Sequence, residues 1–275
     1  MRAEVAYELG AELGEGPTWD ARTGRLIVVD ILRARVHQLS PGGDEVLRTS
    51  QHVGAAKPRA SGGLVVNLRD GVGCYSADGT FSWLAEWPVP GRRGNDAAVD
   101  PWGRLWAGTM RYDEGEGGGC LYRVGETIDL ITDATVSNGI AWSPDHRLMY
   151  YIDSHTRRID VFDVDTDTGL VHDRRTFATV DTGFPDGMTV DADGCPWVAV
   201  WDGSAVHRYT PDGRLDRVVE VPCARPTACT FGGADLRDLY VTTATIGLDD
   251  PGPFAGSVLV IPGAGQGLPS PAFAW

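Results

Sequence analysis

The sequence is poor in cysteine and has no CxxC pair and no long apolar run. Its five cysteines are scattered along 275 residues, at Cys74, Cys120, Cys195, Cys223 and Cys229. This spacing predicts buried, reduced cysteines and does not indicate a thiolate metal site, while a disulfide between Cys223 and Cys229 stays open. Because no apolar run reaches the ~18 residues of a transmembrane helix, no membrane span is predicted.

Positive charge is also scarce. The chain has 24 Lys and Arg against 38 Asp and Glu, which gives a formal net charge of -14. Nucleic acid and anionic membranes are themselves polyanions, so neither is expected as a partner, and no protein partner is indicated. The amino-terminal residues Met1–Leu9 lack the apolar core of a signal peptide. We therefore expect a cytoplasmic protein.

Helix signals are sparse, whereas 36 glycines and 17 prolines are spread between short apolar segments. A turn followed by a strand recurs six times, at intervals of about 40 residues. The four strongest copies are Asp20–Ile27, Asp100–Trp106, Ser143–Met149 and Asp191–Trp197. Two weaker copies lie at Ala60–Val66 and Thr230–Val241. A repeat of this length indicates an array of similar structural units.

Each repeat predicts a strand, a turn and a second strand, with further strands at short intervals. The second strands are predicted at Leu26–Asp30, Leu105–Thr109, Met149–Asp153 and Trp197–Trp201. Further strands are predicted at Val36–Leu39, Cys74–Ser76, Cys120–Val124, Ile159–Asp163, Ala205–Tyr209 and Ser257–Ile261. This pattern is typical of a propeller blade. It predicts an all-β, six-bladed β-propeller that forms one domain over residues 1–275, with Ala3–Leu9 completing the last blade.

Polar residues recur at the start of the first strand of several repeats. The inner strands of a propeller line a central channel, so the same position in different repeats faces one axis. Four of the six positions carry oxygen ligands, at Glu15, Asn95, Asn138 and Asp186. Taken alone, Glu15 also suits an exposed loop and Asn138 a turn. Together they predict a channel site for one divalent cation, for which Ca²⁺, Mg²⁺ and Mn²⁺ are suited.

Arg93, two residues before Asn95, adds a second kind of contact. Arginine donates a planar pair of N–H groups and asparagine both donates and accepts, which suits an uncharged ligand rich in hydroxyl groups. A solvent-exposed turn is the alternative for Arg93. The acidic, glycine-rich segment Met110–Gly119 is either a lid or a solvated hairpin.

Several short motifs occur in order along nearly the whole chain. They are Leu13–Pro17, Arg93–Asp96, Ala107–Met110, Ser137–Gly139, Tyr150–Ser154, Pro185–Met188, Trp197–Ala199, Phe231–Gly233 and Tyr240–Thr242. Together they resemble the senescence-marker-protein/gluconolactonase family, the regucalcin-like sugar lactonases. The resemblance implies a six-bladed propeller whose central channel holds one divalent cation through Glu15, Asn138 and Asp186. It also implies substrate contacts from Arg93 and Asn95.

One segment departs from the family pattern. Mammalian members place a substrate-contacting glutamate in the loop after the third blade's second strand, where this chain has Tyr112-Asp113-Glu114. We expect Asp113 to take that role.

The function expected from the residues and the resemblance is hydrolysis of a sugar lactone, such as a gluconolactone or a pentonolactone, to the aldonic acid. The cation, Ca²⁺ first and otherwise Zn²⁺, Mn²⁺, Mg²⁺ or Fe²⁺, acts as Lewis acid, and Asp186 acts as general base. A non-catalytic calcium-binding protein and a propeller phosphotriesterase or aryl esterase are the alternatives. A protein-binding scaffold propeller is disfavoured because Trp-Asp blade endings do not recur.

Overall fold

A computed structural model covers residues 1–275 and is built almost entirely of β-strands. The strands are β1 (Glu4–Tyr7), β2 (Gly14–Asp20), β3 (Arg25–Asp30), β4 (Arg35–Ser40), β5 (Gly43–Arg48), β6 (Val53–Pro58), β7 (Leu64–Leu68), β8 (Gly71–Tyr75), β9 (Phe81–Glu86), β10 (Arg92–Val99), β11 (Leu105–Arg111), β12 (Gly119–Val124), β13 (Ile128–Ala134), β14 (Ser137–Trp142), β15 (Leu148–Asp153), β16 (Arg158–Asp165), β17 (Leu170–Thr179), β18 (Phe184–Val190), β19 (Pro196–Trp201), β20 (Ala205–Tyr209), β21 (Leu215–Glu220), β22 (Pro226–Gly232), β23 (Asp238–Thr243) and β24 (Val258–Ile261). The one helical element is a 3-10 turn at Ser154–Thr156. No helix is long and apolar enough to span a bilayer.

The strands form six four-stranded antiparallel sheets, which confirms the predicted six-bladed propeller. Blades 1 to 5 are β2–β5, β6–β9, β10–β13, β14–β17 and β18–β21. Blade 6 combines β22, β23 and β24 with the amino-terminal strand β1, in the order β1-β24-β23-β22. Strands from both ends of the chain therefore share one sheet and close the ring, as the sequence predicts.

The hydrophobic core is divided among the six interfaces between neighbouring blades, each holding one cluster of buried side chains. Trp106 packs between blades 3 and 4, and Trp197 between blades 5 and 6, both with no exposed surface. All five cysteines are buried and free, so the open question of a Cys223–Cys229 disulfide is answered in the negative. The ring is thus held by side-chain packing between sheets.

Buried aspartates anchor the turn between the first two strands in two of the blades. Asp191 accepts hydrogen bonds from the backbone N–H groups of Asp193 and Cys195 and from the indole N–H of Trp197. It also accepts one from Arg208 Nε at 2.9 Å. Asp100 makes the corresponding bonds in blade 3, including one from the indole of Trp106. These bonds explain why the recurring turn begins with an acid in both repeats.

A β-bulge interrupts the inner strand of every blade near its start. The pairing register shifts between Glu15 and Thr18 in blade 1, and at the equivalent place in the other five. Asn95, Asn138 and Asp186 lie within the shifted segments, and Glu15 immediately precedes its own. A bulge re-aims side chains that a regular strand would alternate between its two faces. Asn95, Asn138 and Asp186 are therefore structurally equivalent, whereas Glu15 lies one position earlier relative to its bulge.

Replacing Asp191 with alanine tests the anchoring role of the turn aspartate. The variant leaves the buried indole N–H of Trp197 and two backbone N–H groups without their acceptor, while Arg208 keeps Asp193 and Asp216 as partners. Because an unpaired buried donor costs about 1–3 kcal/mol, we expect a loss of about 3–5 kcal/mol in the free energy of unfolding. Asp193→Ala is the matched control, because Asp193 also pairs with Arg208 but is 83% exposed, and it is expected to cost less than about 1 kcal/mol. Urea unfolding measures both, and equal losses would contradict the assignment.

Candidate active site

A cavity of about 430 Å³ opens at the end of the channel where the inner strands begin. Its lining includes all four oxygen-bearing residues that the repeat places on the axis, which are Glu15, Asn95, Asn138 and Asp186. Each of the four is only 5 or 6% exposed. The fold therefore brings together side chains that are up to 171 residues apart in the chain, 186 minus 15.

Hydrogen bonds between blades fix the two asparagines. Arg93 Nη1 donates to Asn95 Oδ1 at 2.7 Å, and Asn95 Nδ2 donates to Asn138 Oδ1 at 2.9 Å. Asn138 Nδ2 donates to Ser154 Oγ, which in turn donates to the carbonyl of Pro185, the residue before Asp186. This relay runs from blade 3 through blade 4 to blade 5. It sets the orientation of the Asn138 amide, whose oxygen lies on the Asn95 side.

The two carboxylates are held away from water. Burial, followed by the nearby charge of Asp96, raises the pKa of Glu15 to about 8, although the Gly16 N–H donates to Glu15 Oε2. Burial and the charges of Glu15 and Asp96 also raise the pKa of Asp186 well above its usual range, and Arg93 opposes this only in part. Ionisation of one acid therefore makes ionisation of the other less favourable. A bound cation would stabilise both carboxylates in their ionised form.

The residues present fit a divalent cation. Asp186 Oδ1 is buried and has no hydrogen-bond partner, which is unusual for a carboxylate oxygen. Two carboxylates and an amide oxygen form the kind of donor set that hard cations such as Ca²⁺ and Mg²⁺ prefer. Glu15, Asn138 and Asp186 are therefore suited to hold the ion, with water completing its coordination.

A lysine from blade 2 supports the Glu15 bulge from below. Lys57 Nζ donates to Thr18 Oγ1 at 2.7 Å and to the carbonyl of Gly16 at 3.3 Å. The side chain is buried, and burial lowers its pKa while the charges of Asp96 and Glu15 raise it. The repeat frame did not single out Lys57 as part of the site, because its position in blade 2 has no counterpart among the ligands.

The structure separates the predicted substrate-binding residues. Arg93 lines the cavity and keeps Nη2 free for a ligand. Asn95 also lines it, but both of its amide N–H groups are used, for the carbonyl of Ser137 and for Asn138 Oδ1. Asn95 therefore orients Asn138 more directly than it can donate to a substrate.

Asp113 lies outside the cavity lining. Its carboxylate is exposed and pairs with Arg111, and this hydrogen bond, together with the Gly115 N–H, lowers its pKa to about 2. Its neighbours Tyr112 and Glu114 line the cavity instead. Strand β11 ends at Arg111, the next two residues form a turn, and Glu114 has a positive φ of 52°. Strand alternation therefore does not indicate which of these side chains enters the cavity, and the sequence offered no signal for Glu114.

The hairpin that carries these residues spans the channel mouth. Tyr112 OH lies 2.7 Å from His52 Nδ1 of the segment entering blade 2, and Glu114 Oε2 lies 3.0 Å from His155 Nε2 of blade 4. The Tyr112 ring also covers the Arg93 guanidinium, with 5.9 Å between the guanidinium carbon and the ring centre. The segment thus covers part of the site, in agreement with the lid alternative.

Other lining residues come from positions that the repeat did not single out. They are Leu13, Leu32, Met110, Val136, Ser154, His155, Phe184, Trp201, Arg225 and Ile246. Most of them lie in the connections at this end of the blades, where the repeat pattern is lost. Three of them, Leu13, Met110 and Ser154, lie within motifs noted in the sequence, but none had been assigned a role in the site.

The raised pKa values predict how the cation-free protein responds to pH. Folded Glu15 keeps its proton up to about pH 8, whereas the unfolded chain releases it near pH 4.5, so the folded state binds more protons between these values. The free energy of unfolding should therefore fall as pH rises from 5 to 8, by up to about 1.4 kcal/mol per pH unit for each retained proton. Urea unfolding in the presence of a chelator measures this slope.

Glu15→Gln should flatten that slope, because glutamine does not titrate. Added divalent cation should stabilise the parent protein more at pH 8 than at pH 5, because the ion competes with the proton for the carboxylates. A pH slope that is the same in the Glu15→Gln variant would contradict the assignment of Glu15.

Comparison with known proteins identifies the family. The chain matches the SMP-30/Gluconolactonase/LRE-like region over residues 13–245. It is 35% identical to regucalcin from Danio rerio, over 98% of this chain and 97% of that protein. It is 38% identical to 6-deoxy-6-sulfogluconolactonase from Pseudomonas putida, over 84% of this chain and 83% of that protein.

A solved structure of a calcium-binding regucalcin from Agrobacterium tumefaciens superposes with a TM-score of 0.93. The superposition covers 98% of each chain, and the two sequences are 29% identical. The family expected from the sequence motifs is confirmed: the chain belongs to the SMP-30/gluconolactonase/LRE-like family.

Proposed function

We propose that the protein is a metal-dependent lactonase that opens a sugar lactone, an aldonolactone of the gluconolactone or pentonolactone type, to the aldonic acid. The observation that carries the proposal is the free, buried Oδ1 of Asp186 in a cavity shared with Glu15, Asn138 and the Arg93 guanidinium. The name of the Pseudomonas putida relative, a sulfogluconolactonase, supports a lactone as the substrate class.

Glu15, Asn138 and Asp186 would hold one divalent cation. Ca²⁺ is the first candidate, supported by the solved structure of a calcium-binding regucalcin. Zn²⁺, Mn²⁺, Mg²⁺ and Fe²⁺ are the other candidates, since oxygen donors also bind these ions. A bound divalent ion supplies Lewis acidity at the lactone carbonyl oxygen and stabilises negative charge that develops there.

Asp186 is proposed to move the proton. One oxygen of its carboxylate would bind the cation, and the other accepts a proton from the water molecule whose oxygen attacks the carbonyl carbon of the lactone. When the bond between that carbon and the ring oxygen breaks, the same carboxyl group returns the proton to the departing oxygen. Without the cation, burial and the neighbouring acids raise the pKa of Asp186, and a bound cation would favour the ionised form that can accept the proton.

Substrate orientation is assigned to the polar side of the cavity. The free Nη2 of Arg93 donates to a ring or hydroxyl oxygen, and Glu114 accepts from hydroxyl groups. Tyr112 covers Arg93 and reduces the access of bulk water, which strengthens both contacts.

A non-catalytic calcium-binding protein is the second candidate, since the same ligands would serve it and a relative is described as calcium-binding. It needs neither the free Nη2 of Arg93 nor the cavity above the ligands. A propeller phosphotriesterase or aryl esterase is the third. An enzyme of this third kind would hydrolyse organophosphates or aryl esters faster than lactones, which distinguishes it from a lactonase.

The central test measures proton release in weak buffer from five- and six-carbon aldonolactones, using metal-stripped protein with each divalent ion added back. We expect hydrolysis that depends on the ion, and a loss of about 10²–10⁴-fold in kcat/KM for Asp186→Ala because the proton acceptor is removed. Circular dichroism checks that the variant is folded. Full activity of this variant would refute the site, and ion binding without hydrolysis would favour the second candidate.

A pair of neighbouring acids tests the polar side of the cavity. Glu114→Ala should raise KM for a hydroxylated lactone about tenfold, because a hydrogen bond to a charged group is lost. Asp113→Ala should leave KM unchanged, because Asp113 faces Arg111 and solvent. Steady-state kinetics of the two variants at saturating metal show which acid contacts the substrate. A raised KM for Asp113→Ala alone would identify Asp113 as the substrate contact.

A further inference from the structure

The cavity has two chemically different sides. Blade 3 supplies the polar side, with Arg93, Tyr112 and Glu114. In a ring of six blades, blade 6 lies opposite blade 3, and it is flanked by blades 5 and 1. The residues that line the cavity from these three blades above the cation ligands are mostly apolar.

Four of them form an apolar wall, which we define as Leu13, Leu32, Trp201 and Ile246. All four belong to one hydrophobic cluster, in which Leu13 is buried and the other three pack against it half-buried. Leucine and isoleucine side chains offer no hydrogen bond to a hydroxyl group. A sugar hydroxyl pressed against this wall would lose its bonds to water without replacement, which costs about 1–3 kcal/mol per group.

Arg225 is the one charged residue on this side, and two of its three guanidinium nitrogens are engaged within the protein. Its Nε donates to Asp202 Oδ1 at 2.7 Å, and its Nη1 donates to the carbonyl of Ile246. The guanidinium carbon lies 4.7 Å from the centre of the Trp201 ring. Arg225 therefore braces two members of the wall, and Asp202 balances its charge.

The volume of the cavity agrees with a ligand larger than one sugar ring. About 430 Å³ falls within the ~300–1,000 Å³ of pockets that enclose drug-sized ligands. A single lactone ring bound through the ligand layer and Arg93 leaves space beside the wall. Water in that space would face half-buried leucine and isoleucine side chains, and an apolar group would replace it favourably.

We propose that the wall is a subsite for an apolar substituent of the substrate. This inference rests on the proposed lactonase function. The expected substrate is a lactone with one hydroxylated edge and, away from the carbonyl, an alkyl or aryl group or an unsubstituted carbon chain. The hydroxylated edge faces Arg93 and Glu114, and the apolar part faces Leu32, Trp201 and Ile246.

The test compares two δ-lactones that differ only in an alkyl chain, δ-valerolactone and δ-nonalactone, with glucono-δ-lactone as hydroxylated reference. With metal-loaded protein, the butyl chain should raise kcat/KM at least tenfold, since burying each methylene group stabilises the complex. Ile246→Thr, which keeps the branch at Cβ but replaces the ethyl group with a hydroxyl group, should reduce this gain about tenfold while leaving δ-valerolactone and glucono-δ-lactone within twofold.

Val136→Thr is the matched control, because Val136 lines the same cavity from blade 4 and lies outside the wall. It should leave the ratio between the two alkyl lactones unchanged. No gain from the butyl chain, or an equal loss for all three lactones in Ile246→Thr, would overturn the proposal.

A binding measurement separates failure of the subsite from failure of the lactonase proposal. The δ-lactams with and without the butyl chain resist hydrolysis, and their affinities are measured by calorimetry on parent and Ile246→Thr protein. Tighter binding of the butyl lactam to the parent alone supports the subsite even if no lactone is hydrolysed. Hydrolysis of glucono-δ-lactone with equal affinity for both lactams would retain the lactonase and reject the apolar subsite.

Discussion

The bulge near the start of each inner strand is the constraint on which the site depends. A regular strand directs successive side chains to opposite faces, so a propeller with regular inner strands would present fewer polar groups at one level of its channel. The bulges turn Asn95, Asn138 and Asp186 toward the same cavity that Glu15 enters from blade 1. They also require close contact between blades. A Cβ on Gly139 would lie 2.6 Å from the carbonyl of Asp186.

The electrostatics of the site follow from this geometry. Glu15, Asp96 and Asp186 are all buried, and the cations buried with them are Lys57 and Arg93. Three acids and two bases leave one uncompensated negative charge when all are ionised, and burial makes that charge expensive. Protonation of the acids removes this charge, which is why their pKa values are raised. A divalent cation neutralises it while the acids stay ionised. Unpaired Asp186 Oδ1 and the shared cavity are therefore two aspects of one arrangement.

The parts of the structure that follow the repeat were predictable from the sequence. The blade count, most strand positions, ring closure by the amino-terminal strand and the convergence of Glu15, Asn138 and Asp186 all follow from one recurring pattern. Asp113 was named in place of Glu114 because the hairpin of blade 3 has no counterpart in other repeats and its register is set by tertiary contacts with His52 and His155. The apolar wall was missed for a similar reason. Leu13, Leu32 and Ile246 lie in connections and Trp201 ends strand β19, so the four come from three blades and only folding brings them together.

The inner strands of blades 2 and 6 place no side chain in the cavity, and this has a consequence for how a ligand is oriented. Gly54 lies against the backbone of Asn95 with no room for a side chain, and the Thr227 hydroxyl is used between Gly14 and Thr242. Six identical repeats would place six equal side chains around the axis and leave a symmetric pore. Because the inner strands of blades 2 and 6 contribute no side chain to the cavity, that symmetry is broken. The channel thus has a front and a back, and a bound molecule can be held in one orientation.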